Sequence, residues 1–212
     1  MQEPQKSTRR TQEERRTEAR RRVLDAATDL VARHGSRSVS LADVGVAAGY
    51  SRGIVNHHFG TKTRLVAAVL EHSQNFATPQ DATTGLGRLT ELITTYLGVI
   101  RERSPKPEAF LQLWAESMGA EPALEPIFAE RDSWFRGVLA AHIRDGIADG
   151  SIRSDAEPDV TALTIVGLLR GTAMLLLSTA ADMSATAVAA GAAEMVERDL
   201  ATSRRTPAAP AR

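Results

Sequence analysis

At 212 residues the chain has room for a small module joined to a larger one, and 42% hydrophobic with 25% charged residues describes a globular protein, not a disordered or fibrous one. The absence of cysteine excludes a disulfide scaffold and thiolate-bound zinc, and it fits a reducing cytoplasm. Net charge is zero, yet residues 1–72 hold 13 Lys and Arg against 8 Asp and Glu while the remainder holds 13 against 18, so a basic front suited to a polyanion precedes an acidic body.

Met1 to Arg22 is polar throughout and lacks the apolar core of a signal peptide. Residues 1–17 read as a mobile basic arm whose Arg9, Arg10, Arg15 and Arg16 either trail along phosphates or merely solubilise. Val23, Ala26, Ala27, Leu30 and Val31 then recur at the three-and-four spacing of an amphipathic helix, with Gly35 as its stop. Ser40-Leu41-Ala42-Asp43 is a capping box that opens a very short helix ending at Gly49. Ser51 caps a second short helix closed by Phe59-Gly60, and Thr61 caps a third in which Leu65, Val66 and Val69 face inward. Two helices of about eight residues across a tight glycine turn form a helix-turn-helix. Helices this short are unstable alone, so the flanking ones must bury their apolar sides. The second of the pair turns Ser51, Arg52, Asn56 and His57 outward, residue types that suit base edges in a major groove. Taken as an isolated window, the same face also fits a merely solvated helix. Ile54, His58 and Phe59 read as packing residues.

The stretch Ala48-Gly49-Tyr50-Ser51-Arg52-Gly53-Ile54-Val55-Asn56-His57-His58-Phe59, followed by Lys62-Thr63-Arg64-Leu65, closely resembles the DNA-binding signature of the tetracycline-repressor (TetR) family over residues 20–72. Asn56 stands where that family usually has a tyrosine, and Tyr50 offers an aromatic contact instead. The resemblance implies that Ser40 meets a phosphate and that Tyr50, Ser51, Arg52, Asn56 and His57 address the groove and its walls. Gly53 would admit close backbone approach. Thr61 and Lys62 would present free amides and a cation to a phosphate at a helix N-terminus.

A polar linker, Ala77 to Gly85, leads into longer helices. Their apolar stripes run over Leu86–Ile100, Pro107–Met118, Ala123–Asp149, Pro158–Thr179 and Ser184–Ala201. Val160–Ala181 is apolar and about long enough to span a bilayer, but Arg170 at its centre argues for a buried helix of a soluble bundle, and no membrane association is expected. Arg170 has two readings, a pair with an acid in the bundle or across a dimer interface, or a contact to an anionic or polar ligand group. Tyr96, Phe110, Trp114, Met118, Phe128, Trp134 and Met174 read individually as ordinary core, and the family resemblance implies that they line an effector cavity with Arg170. It also implies a homodimer through the last two helices, where Gly167, Gly171 and the alanine-rich run permit close approach.

The five histidines (His34, His57, His58, His72, His142) show no metal-binding spacing, and no nucleophile elbow, phosphate loop or dinucleotide fingerprint occurs. Glu116, Glu121 and Asp132 read as solvated helix residues. The expectation is therefore an all-α protein of about nine helices, not an enzyme and without a cofactor. It comprises a helix-turn-helix domain at 18–72, a ligand-binding and dimerisation domain at 73–202, and a disordered tail at 203–212. Its expected role is a cytoplasmic regulator, most simply a repressor, that binds double-stranded operator DNA as a homodimer and responds to an unknown small molecule. The alternative is a helical ligand-binding or structural protein whose motif no longer binds DNA.

Overall fold

In a computed structural model of the chain, residues 12–73, 81–102, 104–119, 121–178 and 182–202 are described. Among them are nine α-helices: α1 (Gln12–Ser38), α2 (Leu41–Ala48), α3 (Arg52–Phe59), α4 (Lys62–Ser73), α5 (Gly85–Gly98), α6 (Pro105–Ser117), α7 (Glu125–Asp149), α8 (Pro158–Ser178) and α9 (Ala185–Leu200). Short 3₁₀ turns cover Val99–Glu102 and Pro122–Leu124. The only β pairing among the described residues is a single bridge between Ile152 and Ala201. The all-α reading holds.

Two boundaries differ from the sequence reading. Gln12–Thr17, expected in a mobile arm, already belongs to α1, because Glu13 and Glu14 sit favourably in its first turn and Arg21 and Arg22 bond back to Glu18. The helix expected from Ala123 starts at Glu125, since Pro122–Leu124 forms a 3₁₀ turn. Arg9 and Arg10 of the arm, the tail 203–212 and residues 77–80 of the linker lie outside the described residues.

The helices divide into two compact units, one of residues 1–74 with 108–124 and one of 75–107 with 125–212. In the first, α1 packs on α2 and α4, and α3 is held between α2 and α4. Its core is Val23, Ala27, Val31, Val44, Val55, Leu65, Val69 and Leu70. The Ser40–Asp43 capping box is present, with the Ser40 hydroxyl accepting from the Asp43 amide (3.2 Å) and an Asp43 oxygen accepting from the Ser40 amide (3.0 Å). These bonds hold the Asp43 carboxyl below the usual carboxylate range. Ser40→Ala is expected to cost about 1 kcal/mol in a urea titration. Because the folded Asp43 pKa is depressed, the box contributes at neutral pH and is lost as pH falls through that lowered value.

Most of α6 belongs to this first unit, where it reaches the C-terminal end of α1. Glu116, expected to be solvated, is buried. Its carboxylate accepts from the Ser36 amide (3.0 Å) and hydroxyl (2.5 Å) and from Gln112 Nε2 (3.2 Å). The bonds answer the break at Gly35, whose φ of 73° and ψ of 160° interrupt α1 and free the Ser36 amide.

In the second unit α5 packs against α7, α8 and α9, and α7 against α8. α8 is long and apolar enough by composition to cross a membrane. It serves here as a core helix, burying Ala162, Ile165, Val166, Leu169, Ala173 and Leu176. Arg170 at its centre is buried and pairs with both oxygens of Asp132 on α7, including a 2.8 Å bond from Nη1 to Oδ2. Asp132 was expected to be solvated; it is the counter-ion that lets α8 carry a charge in its packed face. Tyr96 lies beside the same guanidinium, and burial pushes its phenol up to about 12.

Candidate nucleic-acid interface

Ser51 begins α3 with its side chain accepting from the Ile54 amide, and Gly49, at φ 75° and ψ 30°, closes α2. The turn between them is pressed onto Gly45, where a Cβ would stand 2.9 Å from the Tyr50 carbonyl oxygen. This mid-helix glycine was not singled out in the sequence, and it fixes how closely α3 crosses α2. Val55 and Phe59 anchor α3 in the core. Ser51, Arg52, Gly53, Asn56 and His57 are left on the outside, all exposed, while Tyr50 is half-buried at the start of the helix.

The remaining expected contacts stand at helix N-termini. Ser40 and Thr61 are exposed at the N-termini of α2 and α4, and the Thr61 hydroxyl accepts from the Arg64 amide (3.2 Å). Lys62 is exposed too, but its Nζ donates to the Arg37 carbonyl (2.9 Å), so one of its three N–H groups braces the end of α1. Two packing expectations need correction. Ile54 is 39% exposed, because with Val55 and Phe59 turned inward its helical position faces the flank. His58 is only half-buried, set edge-on to His57 at 5.6 Å between ring centres. Burial, then His57, Arg16 and Arg20, hold the His58 imidazole below its ordinary pKa. Arg20, not anticipated from the sequence, places its guanidinium 5.4 Å above the Phe59 ring and so ties α1 to the end of α3.

The eight residues expected to meet a ligand are divided between the two units. Tyr96, Phe128 and Arg170 are buried in the second unit, Phe110 is buried in the first, and Trp114 is half-buried there. Met118, Trp134 and Met174 are exposed at 66%, 60% and 38%. Phe135, which stacks on Tyr96 at 6.0 Å, is the aromatic that the expected set left out. It is adjacent to Trp134 in the same stripe, and periodicity alone does not say which of two neighbours turns inward.

Residues 23–69 match the profile of the bacterial regulatory proteins of the tetR family, and residues 86–201, more than half of the chain, match that of the BetI-type transcriptional repressor C-terminal domain. The HTH-type transcriptional repressor Rv3405c of Mycobacterium tuberculosis is 44% identical over 57 residues, which cover 27% of this chain and 30% of that protein. The chain thus spans under a third of that relative's length in the match. A TetR-family transcriptional regulator from Rhodococcus sp. superposes with a TM-score of 0.73 at 22% identity, covering 86% of this chain and 98% of the other. A transcriptional regulator from Saccharomonospora viridis, solved in complex with choline, superposes at 0.71 with 23% identity over 88% and 99% of the two chains. These likenesses show the same fold.

Proposed function

Because the chain belongs to the TetR family of bacterial regulatory proteins, we propose that it is an effector-responsive transcriptional repressor that binds a near-palindromic operator as a cytoplasmic homodimer. The observation that carries this reading is the outward face of α3, where Ser51, Arg52, Asn56 and His57 are exposed together on a helix locked by Val55 and Phe59. A helix so held fits the major groove, with Arg52 suited to guanine and Asn56 to adenine. Tyr50, Gly53, Ser40, Thr61 and Lys62 are assigned to the groove walls and phosphates. The DNA-reading domain is taken as 18–72 and the effector and dimer domain as 73–202.

The dimer reading rests on an unpartnered apolar face. Val160, Leu163, Met174 and Leu175 on α8 are exposed, as is Met195 on α9. A Cβ added at Gly167, Gly171 or Gly191 would meet only open space. An apolar stripe with gaps of this kind suits a second copy of itself, and Met174 fits that role better than a ligand contact. A two-fold dimer would set two α3 helices about 34–36 Å apart. The choline held by the Saccharomonospora viridis protein supports a small organic effector here as well. Tyr96, Phe128 and Arg170 are its proposed contacts, since they combine a buried aromatic wall with polar groups.

The test is fluorescence anisotropy against duplexes selected by the protein from a random pool, across a salt series. A log–log slope of about −5 to −9 is expected if each subunit neutralises about 3–5 phosphates. Arg52→Ala should weaken the selected site by about 1–3 kcal/mol and relax base preference at one position, while Lys62→Ala should weaken every sequence alike. Failure of the wild-type protein to enrich any duplex would remove the reading. Equal losses for both variants on every sequence would remove the assignment of Arg52 to base readout.

A further inference from the structure

The start of α1 runs beside the recognition helix, and the two enclose an open groove. Arg15, Arg16 and Arg22 of α1 line one side; Tyr50, Ile54 and His57 line the other. His57 belongs at once to this groove and to the outward face of α3, so the groove continues the DNA-reading surface. The arginines are not equivalent. Arg21 and Arg22 both bond to Glu18 at 2.9 Å, which holds that carboxyl at about 2 and cancels the one acid lining the groove. Arg20 is committed to the Phe59 ring. Arg15 and Arg16 are exposed, and no ion pair involving either is found among the described residues. Glu13 lies in a different depression of α1, toward His72, although Arg16 borders both.

We propose that Arg15 and Arg16 form a second DNA contact, binding phosphates of the strand that flanks the site read by α3. This rests on the DNA-binding reading above. Arg15 and Arg16 are consecutive on α1, a rise of about 1.5 Å along the helix, so the pair suits two neighbouring phosphates of one strand, about 3.4 Å of axis apart. A uniform phosphate lattice needs only charge at the right spacing, so the contact adds affinity without adding base preference.

The experiment compares wild type with the Arg15→Ala/Arg16→Ala double variant on a duplex selected by the wild type. That duplex is prepared in two lengths, one trimmed to the protected core and one with about six further base pairs on each side. On the long duplex the double variant should bind at least tenfold more weakly at low salt, with a slope shallower by about 2 per subunit. On the trimmed duplex the two proteins should bind within about twofold of each other, and the preferred sequence should not change. Circular dichroism melting should be unaltered, since both side chains are exposed. Equal affinity and slope on the long duplex would overturn the flanking contact while leaving the α3 reading intact. An equal deficit on both lengths would overturn it as well, placing the two arginines on the core site. Absence of any wild-type binding would remove the DNA reading itself, and the flanking contact with it.

Discussion

Asp132→Ala is expected to lower the unfolding free energy by about 3–5 kcal/mol, the usual cost of stripping the partner from a buried charge. Arg170 stands at the centre of α8 with its side chain 7% exposed, and α8 contributes little else that is polar to its packed face. Two of the guanidinium's donors are taken by the Asp132 oxygens and Tyr96 adjoins the same group. Without the carboxylate, the guanidinium must either stay buried beside Tyr96 without the Asp132 charge or drag α8 toward water. Replacing both partners, as Arg170→Met/Asp132→Leu, should recover most of the loss, because the desolvation of both ions disappears together. Urea unfolding of the two variants beside wild type gives the comparison. A single-variant loss under about 1 kcal/mol would mean that water reaches the guanidinium. A double variant as unstable as the single one would mean that shape, not charge, sets the requirement. If Arg170 also meets an effector, the double variant would fold well yet no longer respond to it, which separates the two roles of this residue.

The parts of the molecule that could be read from sequence are those in which a local interaction decides the outcome. The capping box at Ser40–Asp43, the Ser51 cap and the glycine stop at Gly49 all depend on neighbours within about four residues, and all appear as expected. The outward set on α3 was legible for the same reason: once Val55 and Phe59 are inward, helix geometry leaves Arg52, Asn56 and His57 outside. What escaped was partnership across the chain. Glu116 and Ser36 are 80 residues apart, and Asp132 and Arg170 are 38 apart. A glutamate or aspartate in a helix has the same local signature whether it is solvated or buried against a distant donor. Ile54 failed differently, since an apolar residue beside a core position is assigned inward by default, although the flank of α3 leaves it half in water.

Gly35→Ala is expected to destabilise the first unit by about 3 kcal/mol or more and to weaken DNA binding in proportion. A φ of 73° with ψ near 160° is a region that only glycine visits at low cost, and other residues there pay on the order of 1–3 kcal/mol. Steric overlap adds to this, because a Cβ at Gly35 would collide with Glu116 Oε1 and stand 3.1 Å from Gln112 Nε2. That carboxylate cannot simply withdraw: it is buried and holds the Ser36 amide and hydroxyl. Moving it leaves a charged group without donors and an orphan amide at the break in α1. The break is also where the chain turns toward Ser40 and the start of α2, and Lys62 braces the adjacent Arg37 carbonyl. Distortion at Gly35 therefore reaches the segment that sets the position of the helix-turn-helix. Glu116→Gln gives the informative comparison, since an amide oxygen still accepts from Ser36 while the charge is removed. It should lose less stability than Gly35→Ala in the same urea titration. If Gly35→Ala melts like wild type, the positive φ is not required, and the kink can be rebuilt as continuous helix without loosening the carboxylate.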